Sequence, residues 1–420
     1  MEKFLKALRG LLTIKDLRKK FFVTLMLFAF YRFAAHIPSP GINLDSLKNI
    51  FAQSQFLTLL DVFSGGTLAN FSIMALGLNP YINASIIIQM LSMVVPSLEA
   101  LSKEGEYGKE KIDRYTRLLT LPLCLVQAFT IIMFLKGQGL TTTTNPLQLI
   151  TLIFTLSAGT MLLIWMGDLI TQYGLGNGVS LIIFAGIIGR LPIALVQTLT
   201  TLDSGSITSA LVFAVMSFVV IYSVVKTSEA TREVPIHSAR RGAMSTLPLR
   251  LNQAGVIPII FAVSFLLIPN FVSQALSGST NQGLAAFARL VSTNLAPDGF
   301  LYNAIYFVLV VAFTYFYTAV VFNPEKIATD LKKSGNFIPG IRPGAATIAY
   351  LSHVLTRITL VGASFLGLIA ILPSVVSSMT KITTLAVGGT GLLIIVSVIL
   401  ETLKSIESQL FVHNYNKFLD

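Results

Sequence analysis

The residue types that most often perform catalysis are few in this chain and lie far apart. The four histidines, His36, His237, His353 and His413, have no second metal ligand at helical spacing, and Cys124 is the single cysteine. One cysteine excludes an intrachain disulfide and any multi-cysteine metal site. Phosphate-loop, zinc-protease, serine-hydrolase and dinucleotide-binding motifs are missing from the sequence. The sequence therefore predicts no enzyme, no metal site and no bound cofactor.

Charged residues inside apolar segments are the second kind of chemistry to consider, because they mark ion-coupled transporters. Asp168 and Glu401 lie near the cytosolic ends of apolar runs and Arg32 near an outer end, so Arg190 alone lies deeper. Snorkelling or pairing between helices explains such residues without transport. Coupling to protons or sodium lacks an acidic residue at a midplane helix break, and an ion-coupled secondary transporter is kept as the alternative function.

Hydropathy predicts the elements that carry these residues. The 420 residues are 54% hydrophobic and 12% charged, with a mean hydropathy of +0.76, so a bilayer is the natural solvent. About 20 apolar residues cross its ~30 Å hydrocarbon core as an α-helix. Ten such runs are predicted, and they centre near Phe28, Ile86, Val126, Leu156, Ala185, Ser217, Ala262, Val311, Gly362 and Ile394.

The net charge of +11 is explained by the positions of lysine and arginine. If the N-terminus is cytosolic, the inward-facing segments are 1–20, 97–117, 226–252, 323–357 and 403–420. These segments hold all but six of the 30 lysines and arginines. This bias supports that orientation and an even number of spans, with both termini cytosolic.

Ten spans divide into two sets of five, 1–203 and 204–420, and an odd number in each half gives the halves opposite orientations. The second span of each half contains the pattern Gly-x-x-Pro-x-Ile, as Gly77-Leu-Asn-Pro80-Tyr-Ile82 and as Gly255-Val-Ile-Pro258-Ile-Ile260. A chance match is the alternative. A helix break shared by equivalent spans predicts a pathway at the interface of inverted halves.

Segment 56–72 does not follow the pattern of the spans. It is moderately apolar but contains Asp61, the Gly65-Gly66 pair and Asn70, which lipid disfavours. Its composition favours an extracellular interfacial loop. A short re-entrant helix in a cavity between the halves is the other interpretation, because irregular backbone is tolerated there.

Two cytosolic segments, 226–252 and 323–357, are long and basic and contain proline. Two prolines and two glycines surround Arg342 in residues 336–344, which favours a rigid protruding turn. A protruding basic loop suits the docking of a cytosolic partner.

Several motifs, in their order and spacing, resemble the SecY family, which forms the central pore of the bacterial Sec protein translocase. The resemblance covers nearly the whole chain. Its motifs are Phe63-Ser-Gly-Gly66, Ile73-x-Ala-Leu-Gly-x-x-Pro-Tyr-Ile82, Ala84-Ser-Ile-Ile-Ile-Gln89, Gly174-x-Gly-Asn-Gly-x-Ser180, Leu247-Pro-Leu-x-x-Asn-x-Ala-Gly-Val-Ile-Pro258, Lys332-Lys-Ser-Gly335, Gly340-Ile-Arg-Pro-Gly344 and Thr356-Arg-x-Thr-Leu-Val-Gly362.

The resemblance implies an all-α fold of ten transmembrane helices, in two inverted five-helix halves around a central pore. It also implies that the re-entrant segment is a plug, which replaces the loop interpretation of 56–72, with Phe63, Ser64, Gly65 and Gly66 as plug residues. The implied function is a passive protein-conducting channel for secretion across, and insertion into, the bacterial cytoplasmic membrane. The constriction ring is implied to consist of Leu78, Ile82, Ile183, Ile260 and Ile394. An aliphatic waist excludes hydrated ions by dewetting.

The resemblance further implies a lateral gate between the second and seventh spans, with Ser92, Gln127 and Asn252 as polar gate residues whose interhelical hydrogen bonds bias the seam towards closure. The implied partners are the SecE and SecG subunits, the SecA motor, the ribosome with its RNA, signal sequences, precursor polypeptides and membrane lipids.

Arg240, Arg241 and Arg342 are the residues implied to dock the ribosome or the motor. Glu233, His237 and Ser238 depart from the basic, amide and aromatic residues usual in that loop, which puts its partner contacts in doubt.

Overall fold

The computed structural model describes residues 14–40, 47, 61, 64–137, 145–200, 207–238, 244–277, 282–296, 299–380 and 383–416. Long helices dominate these ranges: α1 Lys15–Ala34, α2 Asn79–Val94, α4 Glu106–Gly137, α5 Pro146–Tyr173, α6 Gly178–Thr200, α7 Ile207–Glu229, α8 Ile257–Ser277, α10 Phe300–Val321, α12 Ala345–Thr380 and α13 Thr383–Asn416. Three shorter helices lie between them: α3 Pro96–Lys103, α9 Gln282–Asn294 and α11 Pro324–Lys333.

Each predicted span centre lies in a different one of these long helices. Among the described residues, four stretches are long and apolar enough to cross a membrane: Glu106–Gly137, Pro146–Tyr173, Phe300–Lys333 and Ala345–Leu372. The pair α2 and α3 adds a fifth if it is one span with a bend of 101°. The helical fold class is confirmed, and the chain is a multi-pass membrane protein.

Proline and asparagine set where several helices begin. Pro96, Pro146 and Pro324 occupy the first turns of α3, α5 and α11, where the missing N–H leaves no acceptor unsatisfied. The side chain of Asn323 accepts hydrogen bonds from the backbone N–H groups of Glu325 and Lys326 and caps α11. These local signals divide the apolar chain into separate helices.

The helices pack as two groups that contact each other on two sides. In the first group α1 packs on α5 and α6, and α4 packs on α2 and α5; in the second, α10 packs on α8 and α12, and α13 packs on α7 and α12. The groups meet where α8 contacts α2 and α4, and again where α13 contacts α6. Residues from both groups belong to one buried apolar cluster.

A small three-stranded sheet joins the two long loops, a feature that was not expected from the sequence. Strand β1 (Thr231–Ser238) pairs antiparallel with β2 (Met244–Arg250), and β3 (Asn336–Phe337) pairs with the other edge of β1. Val234 and Leu249 of the sheet are buried against Leu351 and Val354 at the start of α12. The two loops therefore form one folded unit with its own apolar core.

Candidate pore and plug

The five aliphatic side chains predicted to form a ring come from four helices, one of them at the residue that precedes α2. Leu78, Ile82, Ile183, Ile260 and Ile394 are between 0 and 7% exposed and belong to the same apolar cluster. Leu78 and Ile82 come from the start of α2, and the other three come from α6, α8 and α13. The five side chains therefore come from both helix groups, and their arrangement as a ring stays a prediction.

The two Gly-x-x-Pro-x-Ile segments have the same local structure. Gly77 has φ of +60° and Gly255 has φ of +65°, a left-handed conformation that costs glycine little. Helices α2 and α8 begin two residues after these glycines, so Pro80 and Pro258 lie in first turns. The expected helix breaks are therefore helix beginnings, where proline is favoured.

Residues 64–78, which contain the described end of the predicted plug segment 56–72 and continue to α2, form a buried series of turns, called the plug turn below. Its backbone is tied to the end of α1, because the N–H of Ser39 donates to the Phe71 carbonyl at 2.8 Å and the N–H of Ile73 donates to the Ile37 carbonyl at 3.1 Å. Of residues 56–63, the structure describes Asp61, which is helical, and Phe63 lies outside the described residues. The segment is thus enclosed by the protein over its described length.

Buried polar groups within this turn hydrogen-bond one another. The Asp61 carboxylate accepts from the backbone N–H of Ala69 at 2.7 Å. The Thr67 hydroxyl lies 2.8 Å from the Ser64 carbonyl and 2.9 Å from the Met74 carbonyl. Because buried polar groups cost free energy unless they are hydrogen-bonded, this network stabilises one conformation of the turn.

The predicted gate helices touch, since α8 contacts both α2 and α4. Ser92 donates to the carbonyl of Gln89 in its own helix, and Asn252 exchanges hydrogen bonds with the backbone of Gly255 in its own loop. Gln127 on α4 is half-buried. The hydrogen bonds of Ser92 and Asn252 are therefore local, unlike the expected interhelical ones, because each side chain reaches a nearer backbone partner. A role of the three residues in a gate stays a prediction.

Two of the four charged residues considered for ion coupling, Asp168 and Arg32, make contacts between helices. Arg117 on α4 and Asp168 on α5 form an ion pair with 3.1 Å between Nη2 and Oδ2. Arg32 on α1 donates to the backbone carbonyls of Ala185 and Gly186 on α6 at 3.1 and 3.4 Å. The side chain of Arg190 lies outside the described residues. Pairing between helices, one of the two expected explanations, is thus confirmed for Asp168.

A cavity of about 400 Å³ with both polar and apolar lining borders the loop before α8. Arg250, Tyr317, Glu401 and Lys404 contribute to its lining, and the Lys404 ammonium donates to the Ser228 carbonyl at 3.1 Å. In the part of the chain that the structure describes, no group of three or more His, Cys, Asp or Glu side chains could hold a metal ion.

Comparison with known proteins gives this arrangement a family. The family model described as SecY matches residues 72–403. The chain belongs to the SecY family. The protein translocase subunit SecY of Aquifex aeolicus is 40% identical over the full length of both chains. That of Thermus thermophilus is also 40% identical, over 99% of this chain and 98% of the relative.

Solved structures of SecY-type channels have the same fold. One described as a protein-conducting channel superposes with a TM-score of 0.67 at 18% identity, covering 93% of this chain and 92% of the other. A second structure is of a SecY protein, and its plug domain is described as stabilising the closed translocation channel; its TM-score is 0.65 at 18% identity, with the same coverage. Canine Sec61 in a ribosome-channel complex has a TM-score of 0.63 at 16% identity, again with the same coverage. At these identities the likeness establishes the SecY fold.

The docking loops of this SecY-family chain are only partly described. Arg342 is exposed in a turn between Gly340 and Gly344, whose φ angles are +78° and +108°. Arg240 and Arg241 lie outside the described residues. The atypical His237 pairs with Phe337 across the sheet, with ring centroids 6.0 Å apart, so it has a structural contact within the folded unit.

Sequence reasoning missed the sheet and the residues that hold the plug turn. Val234 and Ile236 are buried at alternate positions of β1, and this two-residue period was available as a strand signal. Gly65 of the plug turn also touches Gly186 on α6, since a Cβ added to Gly186 would lie 2.6 Å from the Cα of Gly65. No comparable signal exists for this contact, because the partner of a glycine depends on how distant helices pack.

Proposed function

We propose that the chain is the pore-forming subunit of a protein translocase, in which Leu78, Ile82, Ile183, Ile260 and Ile394 form the constriction and segment 56–72 closes it as a plug. The observation that carries this proposal is the burial of these five aliphatic side chains, from both helix groups, in one apolar cluster with the plug turn. An apolar constriction blocks hydrated ions by dewetting and needs no bound cofactor. Translocation is then passive, and a motor or the ribosome supplies the energy.

The proposed conducting path lies between two halves, 1–203 and 204–420, that open against each other. The seam between α2 and α8, lined by Ser92, Gln127 and Asn252, is the proposed lateral gate. A signal-sequence helix that binds better to the separated helices shifts the population towards the open state. The same opening admits membrane-protein segments into lipid.

Ion leakage of reconstituted vesicles tests the constriction. Ile82→Ser and Ile260→Ser place hydroxyl groups in the apolar waist and are expected to raise the conductance of the resting channel. Matched controls exist on the same helices, because Ile87 on α2 is 39% exposed and Ile268 on α8 is 44% exposed. Ile87→Ser and Ile268→Ser are expected to leave the leak unchanged. Equal leakage from all four variants contradicts the ring assignment, and solute uptake driven by an ion gradient indicates a transporter instead.

The sheet unit is the proposed docking surface for the ribosome and the SecA motor, with Arg240, Arg241 and Arg342 as contact residues. Basic side chains on a rigid support suit the phosphates of ribosomal RNA. SecE and SecG are the proposed partners within the membrane. The proposed location is the bacterial cytoplasmic membrane with both termini cytosolic.

Charge reversal tests this docking surface. Arg342→Glu is expected to weaken the binding of empty ribosomes to vesicles that contain the channel and to flatten its salt dependence. Arg289 on α9 is also exposed but lies on the opposite side in the proposed orientation, so Arg289→Glu is the matched control. Equal loss in the two variants means that net charge, and not this loop, governs ribosome binding.

A further inference from the structure

The plug turn touches helix α6 through two glycines that face each other. A Cβ atom added to Gly186 would lie 2.6 Å from the Cα of Gly65, and one added to Gly65 would lie 2.7 Å from the Cα of Gly186. Both distances are shorter than van der Waals contact allows. The backbones of the turn and the helix therefore meet directly, and neither residue can carry a side chain without separating them.

Tyr31 of α1 also contacts this turn, and the surface of α1, α5 and α6 on which the turn packs is called its seat below. Its hydroxyl donates to the Ser64 carbonyl at 3.4 Å and also occupies the position that a Cβ of Gly65 would take. The Tyr31 side chain is only 2% exposed. Gly65 has φ of +77°, so its backbone conformation also favours glycine.

Two further contacts fix the helices that form the seat. The Arg32 guanidinium fills the space that a side chain at Gly189 would occupy, one turn along α6 from Gly186, and this locks α1 to α6. On α5, a Cβ at Gly159 would collide with the carbonyl oxygen of Ile73. The turn thus rests on α1, α5 and α6, all of which precede residue 204.

We infer that Gly186 is a positioning residue for the plug, because its missing side chain lets the turn seat across the constriction. This inference rests on the proposed channel function. Any side chain at position 186 lifts the turn and shifts the resting population towards an unsealed pore, while the five ring residues stay in place.

Gly186→Ala tests this inference, because its effect on the plug turn can be separated from its effect on helix α6. Alanine favours the helical conformation over glycine, so α6 itself is not weakened by the change. A loss of the seal then reports the contact with Gly65 and not unfolding of the helix. Gly137→Ala is the matched control, since an added Cβ there has nothing within 4 Å.

The experiment measures two properties of the reconstituted full-length chain. The first is resting ion conductance without any polypeptide substrate. The second is the labelling rate of Leu68→Cys, a buried plug position, by a membrane-impermeant maleimide in a Cys124→Ala background. For Gly186→Ala we expect both quantities to rise about tenfold, and further for Gly186→Val. Gly137→Ala is expected to match the parent chain in both.

The outcomes separate this inference from the channel proposal. Parent-level labelling and conductance in Gly186→Ala overturn the inference, and so does labelling that rises without a leak, because the turn then does not seal the pore. If the parent chain never conducts when a precursor polypeptide is supplied, the channel proposal fails, whereas the labelling rate still decides whether Gly186 seats the turn. Gly186→Ala decides the matter even if Gly186→Val does not fold.

Discussion

Helices α2 and α8 begin in the same way, but the residues that precede them lie in different surroundings. Each starts two residues after a glycine with positive φ, and each places an isoleucine, Ile82 or Ile260, five residues after that glycine in the same apolar cluster. The turn before α2 is buried and seated on neighbouring helices. The loop before α8 borders a cavity with both polar and apolar lining, and its Gly255 N–H donates to the Asn252 side chain.

This difference separates what local sequence determines, the start of each helix, from what packing determines, the stability of the residues before it. The glycine and proline set the start of each helix through backbone preferences alone. The stability of each approach depends instead on what surrounds it. We expect the buried turn to resist opening more strongly than the loop before α8, because more of its polar groups lose buried partners when it opens.

Removing the Asp61 carboxylate is expected to have the largest effect on this comparison. In Asp61→Ala the N–H of Ala69 loses its acceptor in a buried position. The opening free energy of residues 64–78 is expected to fall by about 2–3 kcal/mol, so that their amide hydrogen exchange accelerates by about 30- to 150-fold. Asp61→Asn keeps an acceptor oxygen and is expected to lose less. Unchanged exchange in Asp61→Ala would show that the seat alone holds the turn.

The two positive-φ glycines offer a direct comparison at equivalent positions. Gly77→Ala and Gly255→Ala each force a left-handed conformation on a residue with a side chain, at a cost of roughly 1–2 kcal/mol. A Cβ at Gly255 has nothing within 4 Å, so strain is its whole cost. Gly77 is buried, and we expect Gly77→Ala to lower the thermal unfolding midpoint at least as much as Gly255→Ala does. The reverse order would mean that the approach to α8 is the more constrained of the two.

The sequence predicts the positions of the helices better than it predicts the contacts between them. Hydropathy located one centre in each of the long helices, because that signal is local. The Gly-x-x-Pro pattern was expected to mark a helix break, and in the structure it marks both helix starts. The resemblance to a family, and not composition, predicted that residues 64–66 lie in a plug inside the protein, since a polar turn can be buried only where packing provides hydrogen-bond partners. The contact between Gly65 and Gly186 and the pairing of β1 with β3 join distant residues and left no local signal.

Loss of the Asn252 side chain, which bonds the Gly255 backbone within its loop, is expected to have a smaller effect than loss of Asp61. Asn252→Ala removes the acceptor for the Gly255 N–H, at about 1 kcal/mol, because water from the adjacent cavity can replace the lost partner. Asn252→Asp keeps the acceptor and serves as the control. Hydrogen exchange of residues 252–257 measures the difference. If Asn252→Ala lowers the opening free energy as much as Asp61→Ala does, the turn before α2 and the loop before α8 do not differ in stability.

The smallest expected effect concerns the polar contacts between helices within each of the two helix groups. Arg117 and Asp168 join α4 to α5 as an ion pair whose side chains are 50 and 39% exposed, whereas Lys404 joins α13 to α7 through a backbone carbonyl. Water screens half-exposed charges, so a double-mutant cycle with Arg117→Gln and Asp168→Asn is expected to give a coupling of about 0.2–1 kcal/mol. Thermal unfolding at low and high salt measures this coupling, which should shrink as salt is added. A salt-independent coupling above that range would mean that the first helix group is held by charge as well as by burial, and the contrast with the second group would then extend from the plug turn to the helices that support it.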